Sequence, residues 1–319
     1  MNMTKRNVII DCDTGVDDAL ALLLALRWPG FNVLGITNVA GNVPLPKVVR
    51  NTLVVVENSG KTVPVHQGAS FALKGMSETA EYVHGSDGLG DVGFPDPNLV
   101  RSEEHAVDFL VRTLMESPDP IELIALGPLT NIALALLKEP LIVKKIKSLV
   151  MMAGGIENGN STAAAEFNIW VDPEAADLVF RSAIKNKTIV PLEPNTQGGE
   201  IHRDDLEKLE NSDTPWCQMA AKLFRSQINR WKKYTNQERN PTPPDLTAMA
   251  VAIDPDLCQS ELLPVYIETR GEHTRGMTLV DRRPFRHLRE DVMEPNINVV
   301  FTVDNINHRK LVVDTLLNH

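Results

Sequence analysis

The chain has 319 residues, 43% hydrophobic and 23% charged, a globular balance long enough to bury a large core without covalent staples. Its formal net charge of −10 argues against a nucleic-acid backbone as partner, because proteins that neutralise phosphates display a basic face. Three cysteines, Cys12, Cys217 and Cys258, at wide spacings and with no CxxC pair, argue against a disulfide framework or a thiolate zinc site and favour a reducing compartment.

In chain order, residues 7–12 form a short β-branched run that predicts a buried strand. Residues 17–27 predict a helix ended by Pro29-Gly30, 32–38 a strand, 46–58 a helix and 63–65 a short strand. This alternation predicts βαβ units and an α/β fold with an open, twisted, mostly parallel sheet flanked by helices. Residues 74–98, rich in Gly, Asp, Ser and Pro, read as a long loop of the kind that often carries function. There follow a helix at 105–115, a strand at 121–126, a helix at 128–137 and a strand at 146–152 running into Gly154-Gly155. Pro173 suits the first position of a helix reaching about Arg181, and 188–192 is the next strand. Helices at 203–210, 214–234 and 245–252, strands at 264–269, 277–281 and 298–303, and a last helix at 305–317 complete the reading. The apolar run Val8-Ile9-Ile10 is too short for a secretory leader, and residues 19–26 fall far short of a membrane span. No repeat or linker interrupts the chain, so one domain over 1–319, soluble and cytoplasmic, without membrane partners, is expected.

The densest chemistry is Asp11-Cys12-Asp13-Thr14-Gly15-Val16-Asp17-Asp18, four carboxylates in eight residues where a strand meets a helix. Alternation along a strand puts Asp11 and Asp13 on one side, Gly15 permits a sharp turn, and the helix dipole favours Asp17 and Asp18 at its start. Two of the four could be simple helix caps. Together, at the carboxyl end of a buried strand, where open α/β sheets place ligands, they repel one another unless a cation lies among them. Calcium and magnesium take oxygen ligands, so a divalent cation is the simplest resolution. The same segment is similar to the opening of haloacid-dehalogenase-type phosphatases, in which Asp11 would be a nucleophile. That family needs a later Lys and Gly-Asp pair, and Gly90-Asp91 comes too early.

Further segments decide between these: Gly41-Asn42, His84-Gly85, Gly127-Pro128-Leu129-Thr130-Asn131, Met151-Met152-Ala153-Gly154-Gly155, Ala165-Glu166-Phe167-Asn168 and Asp172-Pro173-Glu174-Ala175-Ala176. With the Asp cluster, and again around Asp245 and Gly276-Met277-Thr278, the chain resembles the inosine–uridine-preferring nucleoside hydrolase family. That resemblance implies a Rossmann-like nucleoside hydrolase fold, calcium as cofactor, and hydrolysis of the N-glycosidic bond of a small-molecule nucleoside. It implies Asp13, Asp18, the Leu126 carbonyl and Asp245 as calcium ligands, with Asp13 also activating water. Asp17 and Asn168 would hold the 2- and 3-hydroxyls, Glu166 and Asn160 the 5-hydroxyl, Asn42 the ribose and water, and Met152 would pack beside the sugar. His84 falls on the base side. A homodimer or homotetramer is the implied assembly.

The chain departs from the family in two places. Pro244 stands where many members carry a His before the distant Asp, and Leu192-Glu193-Pro194-Asn195-Thr196-Gln197 replaces an Asp followed by Thr-His. Proline donates no proton, so activation of the leaving base is open. Stacking on Trp231 or Tyr234 is one route, and donation from His84, Arg230, Arg239 or His202 another; Trp231 as a core residue is the bland alternative. A binder of altered specificity, or without turnover, is the remaining alternative.

Overall fold

The computed structural model describes residues 5–75, 78–196, 200–290 and 292–318. Its strands are β1 (Arg6–Cys12), β2 (Phe31–Asn38), β3 (Val65–Gln67), β4 (Ile121–Ala125), β5 (Ile146–Met152), β6 (Lys187–Val190), β7 (Cys258–Leu263), β8 (Val265–Ile267), β9 (Thr278–Val280) and β10 (Ile297–Val303). Its α-helices are α1 (Val16–Arg27), α2 (Leu45–Asn58), α3 (Glu81–His84), α4 (Ala106–Glu116), α5 (Thr130–Lys138), α6 (Phe167–Val171), α7 (Pro173–Arg181), α8 (Glu193–Thr196), α9 (Arg203–Glu210), α10 (Pro215–Thr235), α11 (Pro244–Ile253) and α12 (Asn305–Leu317). Eight strands form one mixed sheet in the order β3-β2-β1-β4-β5-β6-β10-β7, parallel except for β7 against β10; β8 and β9 make a separate hairpin. The expected open, mostly parallel α/β sheet is thus present.

Burial on both faces explains the apolar strands. Val8, Ile10 and Cys12 of β1 join the core with α1, α2, α10, α11 and α12, while Ile9 points into the second core with α4, α5 and α7. Strand order reverses beside β1: β2 and β3 lie to one side, β4, β5 and β6 to the other. The crevice at the carboxyl ends of β1 and β4 is the topological switch point where such sheets bind ligands.

Helix α1 is unusual for a surface element because every residue from Ala19 to Leu26 is buried. It is enclosed by α2, α10, α11 and α12, so its apolar sequence runs all the way round rather than along one stripe. Helix α11 is buried from Asp245 to Ile253 and packs directly against α1. Truncating a fully buried leucine such as Leu23 to alanine would cost about 2–5 kcal/mol, enough to loosen the mount of the site.

Several sequence-based boundaries shift and one strand is added. The strand expected at 63–65 is β3, starting at Val65, and 264–269 shrinks to the three residues of β8. β7 escapes the periodicity because it is an edge strand whose Gln259, Ser260 and Glu261 are exposed. The 74–98 loop contains one helical turn, α3, which carries His84. Among the described residues no helix is long and apolar enough to cross a membrane.

Candidate active site

Asp13 follows the end of β1 and is threaded between two loops that contain no Cβ at the point of contact. A Cβ on Gly41 would lie 2.0 Å from Asp13 Oδ2, and one on Gly127 2.6 Å from Oδ1. Glycine at both positions is therefore a condition for the carboxylate to be where it is. The Asn42 backbone N–H donates to Asp13 Oδ2 at 2.7 Å, whereas Oδ1 is buried and has no hydrogen-bond partner among the described residues. Asp18, at the third position of α1, reaches back: its Oδ2 accepts from Gly15 N–H and Asn42 Nδ2, both at 2.9 Å, and its Oδ1 from Asp13 N–H at 3.2 Å. Because α1 and α11 lie side by side, the acidic residues at their starts converge. Carboxylate oxygens of Asp17, Asp18 and Asp245 all lie within 4.8 Å of one another.

Burial outweighs the favourable helix N-termini here. It lifts the carboxyls of Asp13 and Asp245 well above the usual range, reinforced by Asp18 beside Asp13 and by Asp17, Asp18 and Asp13 around Asp245. Burial, with the neighbouring Asp17, pushes Asp18 up to about 7. Among the described residues no lysine or arginine forms an ion pair with Asp13, Asp17, Asp18 or Asp245. An all-oxygen cluster with two unpartnered buried oxygens, Asp13 Oδ1 and Asp17 Oδ1, fits a hard divalent cation. Leu126, just past β4, lines the same cavity, and its carbonyl accepts from Asn168 Nδ2 at 2.7 Å.

The adjoining wall is built at the start of α6. Glu166 caps this helix, its Oε1 accepting from Asn168 N–H at 2.9 Å and its Oε2 from Gly154 N–H at 3.0 Å and Ile169 N–H at 3.2 Å. Burial pushes its carboxyl up to about 6 despite these donors. Asn168 Nδ2 also donates to the Met152 carbonyl at 3.0 Å, tying α6 to the end of β5. Asn160 Oδ1 accepts from Phe167 N–H at 2.8 Å, so the 155–165 loop is anchored to the same helix start.

A cavity of about 510 Å³ opens above this floor. Asp17, Asn42, His84, Leu126, Met152, Asn160, Glu166, Asn168, Trp231, Tyr234 and Asp245 all line it, and Asp13 and Asp18 lie beneath, fully buried. His84 Nδ1 accepts from Val16 N–H at 3.1 Å and lies 3.5 Å from Asp17 Oδ1; burial lowers its pKa, so the imidazole is neutral with its proton on Nε2. Trp231 is 42% exposed and lines the cavity, so the reading of it as a core residue is corrected: α10 runs past the packed core before it ends. The Arg239 guanidinium lies 5.2 Å from the centre of its indole. Arg230 bridges the loop and α10, donating to the Tyr82 carbonyl at 3.2 Å and to Asp91 Oδ2 at 3.1 Å. His202 stands exposed before α9 and does not line the cavity, so it drops from the candidate donors.

Pro244 is the first residue of α11, where proline has no helical N–H to forfeit and its fixed φ suits the turn. In the second departing segment, Glu193 Oε1 accepts from Ile156 and Glu157 N–H, both at 2.8 Å; Gln197 lies outside the described residues. The phosphatase reading fails on geometry. Asp11 is 4% exposed, does not line the cavity, accepts from Asn131 Nδ2 at 3.1 Å on both oxygens, and is pushed by burial to about 8. With both oxygens held by Asn131 and neither lining the cavity, Asp11 has no oxygen placed for attack.

The cavity also contains residues the sequence reading missed, among them Tyr82, Gln227 and Thr235. Gln227, Trp231 and Thr235 recur every four residues along α10, a one-face spacing that could have found them. Tyr82 carries no such signal, because α3 is a single turn.

The family model described as inosine-uridine preferring nucleoside hydrolase matches residues 8–310. A relative from Photobacterium profundum, named pyrimidine-specific ribonucleoside hydrolase RihA, is 38% identical over 99% of this chain and 100% of its own. Among solved structures, the chain is similar to a plant nucleoside hydrolase, the PpNRh1 enzyme, with TM-score 0.88 and 30% identity over 98% of this chain and 99% of that one. It is equally similar to a purine-preferring ribonucleoside hydrolase from Gardnerella vaginalis, with TM-score 0.88 and 31% identity over 98% of both chains.

Proposed function

The chain belongs to the inosine–uridine preferring nucleoside hydrolase family, and from that premise we propose that it is a calcium-dependent enzyme that releases free base and ribose from ribonucleosides. Membership makes it a hydrolase acting on ribonucleosides; the cation and the residue roles are the proposal. The observation that carries it is the unpartnered, fully buried Asp13 Oδ1 beneath the cavity, its carboxylate repelled by Asp17, Asp18 and Asp245 nearby.

In this reading Asp13, Asp18, Asp245 and the Leu126 carbonyl would hold calcium; the carboxylates that group within 4.8 Å are Asp17, Asp18 and Asp245, so Asp17 would share the site, and Asp13 adjoins it through Asp18. Calcium would supply charge to fix the ribose diol and to lower the pKa of a bound water. Asp13 takes the proton of the attacking water, and Asn42, donating to both Asp13 and Asp18, keeps the two carboxylates in register. Asp17 and Asn168 hold the 2- and 3-hydroxyls, Glu166 and Asn160 the 5-hydroxyl, and Met152 covers the sugar. Breaking the C1′–N bond builds positive character on the ribose, and the fixed carboxylates beside it stabilise that charge without reorganising.

Relatives named for pyrimidine and for purine substrates both match the chain, at 38% and 31% identity, which supports recognition of the ribose they share. Assembly into a homodimer or homotetramer belongs to the same reading and is supported by apolar side chains left exposed in one turn, Phe285 at 70% and Leu288 at 73%; sedimentation equilibrium tests it.

The decisive test is release of reducing ribose from a panel of purine and pyrimidine ribonucleosides by protein stripped with chelator, then supplied with calcium. Activity restored by calcium in the wild type and absent in Asp13→Ala is expected. Ribose release that persists in full without the cation would overturn its role.

A further inference from the structure

When the C1′–N bond breaks, its electron pair goes to the base, which must be met by a proton or by a positive charge. Pro244 supplies neither. Among the other groups that line the cavity, His84 accepts Val16 N–H at Nδ1, so it is uncharged and offers one neutral Nε2–H beside Asp17. Arg230 is engaged by the Tyr82 carbonyl and Asp91, and Asn240 Nδ2 donates to Glu200 Oε2 at 3.0 Å. Tyr82 and Tyr234 are 61% and 62% exposed at the rim. Arg239 differs from all of these. It lines the cavity, has no hydrogen bond or ion pair among the described residues, and keeps its guanidinium on the indole of Trp231. A cation held on an aromatic face has its charge fixed at the wall, with donors free for a ligand.

We infer that Arg239 is a catalytic residue that receives the departing base as an anion, in place of an acid that protonates it. The inference rests on the nucleoside hydrolase reading above. Water oxygen bonds to C1′ as its proton passes to Asp13, the C1′–N bond breaks, and its electron pair spreads from the ring nitrogen onto the ring carbonyl oxygens of the base. The guanidinium N–H groups donate to that oxygen; no proton leaves Arg239, and the base takes one from solvent after release. The substrate class this favours is ribonucleosides of oxo-bases, whose anions place charge on a carbonyl. Adenosine, whose base has no carbonyl, gains less.

The test compares leaving groups. Wild type, Arg239→Gln and Arg239→Lys are assayed on uridine, inosine, adenosine and 4-nitrophenyl β-D-ribofuranoside, whose phenolate departs without help. For Arg239→Gln, a loss in kcat of about 100-fold on uridine and inosine is expected, the scale of removing one preorganised donor from a developing anion. Loss on the nitrophenyl riboside should stay within about threefold, the inosine-to-adenosine ratio should fall, and Arg239→Lys should recover part of the loss on the oxo-bases. Equal loss on all four substrates, or no loss on any, overturns the role of Arg239 while leaving the hydrolase reading intact. Wild-type protein that hydrolyses none of the four overturns both.

Discussion

The cavity has a floor and an outer wall, and the two are built by opposite rules. On the floor, Asp13, Asp18, Asn42, Glu166, Asn168 and Asp245 are each buried, and all but Asn42, which sits in the bend between β2 and α2, are held at a strand end or a helix start. The outer wall is Tyr82, Trp231, Tyr234 and Arg239, the three aromatics exposed and the arginine partly so, carried on a one-turn helix, the last turns of α10 and a loop. Burial holds floor side chains to one geometry and makes each neighbour a constraint, as Gly41 and Gly127 show. Exposure leaves wall side chains free to be exchanged without disturbing the core. Chemistry common to every ribonucleoside suits the first region, and choice among bases suits the second.

Substitutions can break or sharpen this contrast. The largest effect is expected for Asp13→Asn, which keeps size but cannot accept the proton of water: kcat should fall about 10²- to 10⁴-fold with the fold retained by circular dichroism. A loss below tenfold would remove Asp13 as the base. Next is Gly41→Ala, outside the cavity lining but with its methyl 2.0 Å from Asp13 Oδ2; displacement of that carboxylate should cost about 100-fold in kcat. An unchanged kcat would mean that the floor gives way more easily than its packing implies.

The floor should also reveal itself in stability. Asp11 and Asp18 rise from the usual 3.8 to about 8 and about 7 on burial, so between these limits the folded chain holds more protons than the unfolded one. Stability of metal-free protein should therefore fall as pH rises from about 4 through 8, the reverse of a salt-bridged aspartate. Calcium relieves the repulsion. At a hundred times its dissociation constant it should add about 2.7 kcal/mol, and the rise in Tm should be small near pH 4 and large near pH 8. Calorimetry in chelator and in calcium measures both slopes; a gain in Tm that does not grow with pH would contradict a cation among these carboxylates.

Apart from Arg239, wall substitutions should be milder. Trp231→Ala removes a stacking face and should raise KM by about tenfold at most, with stability changed by less than about 0.5 kcal/mol because the ring is 42% exposed. A large drop in Tm instead would return Trp231 to the core. Smallest of all, His202→Ala, outside the cavity, should leave kcat/KM within about twofold.

Much of the floor was legible in the chain because its residues come in short runs whose spacing is itself the constraint. Asp13 to Asp18 covers a strand end and one helical turn, and Ala165 to Asn168 covers a capped helix start, so local geometry nearly places the side chains. The βαβ alternation likewise fixed the sheet's parallel character, since two-sided burial demands apolar strands. The edge strand β7, polar and one-sided, was invisible for the same reason.

What tertiary structure alone decided is which distant residues meet. Asp245 reaches Asp17 and Asp18 only because α1 and α11 are buried helices packed side by side with their starts together. Arg239 meets Trp231 only because the chain reverses after the left-handed Asn236 at the end of α10. Sequence spacing encodes contacts within a turn or a strand, where the backbone sets the distance. Contacts between elements depend on how their apolar faces pack, and no local pattern carries that information.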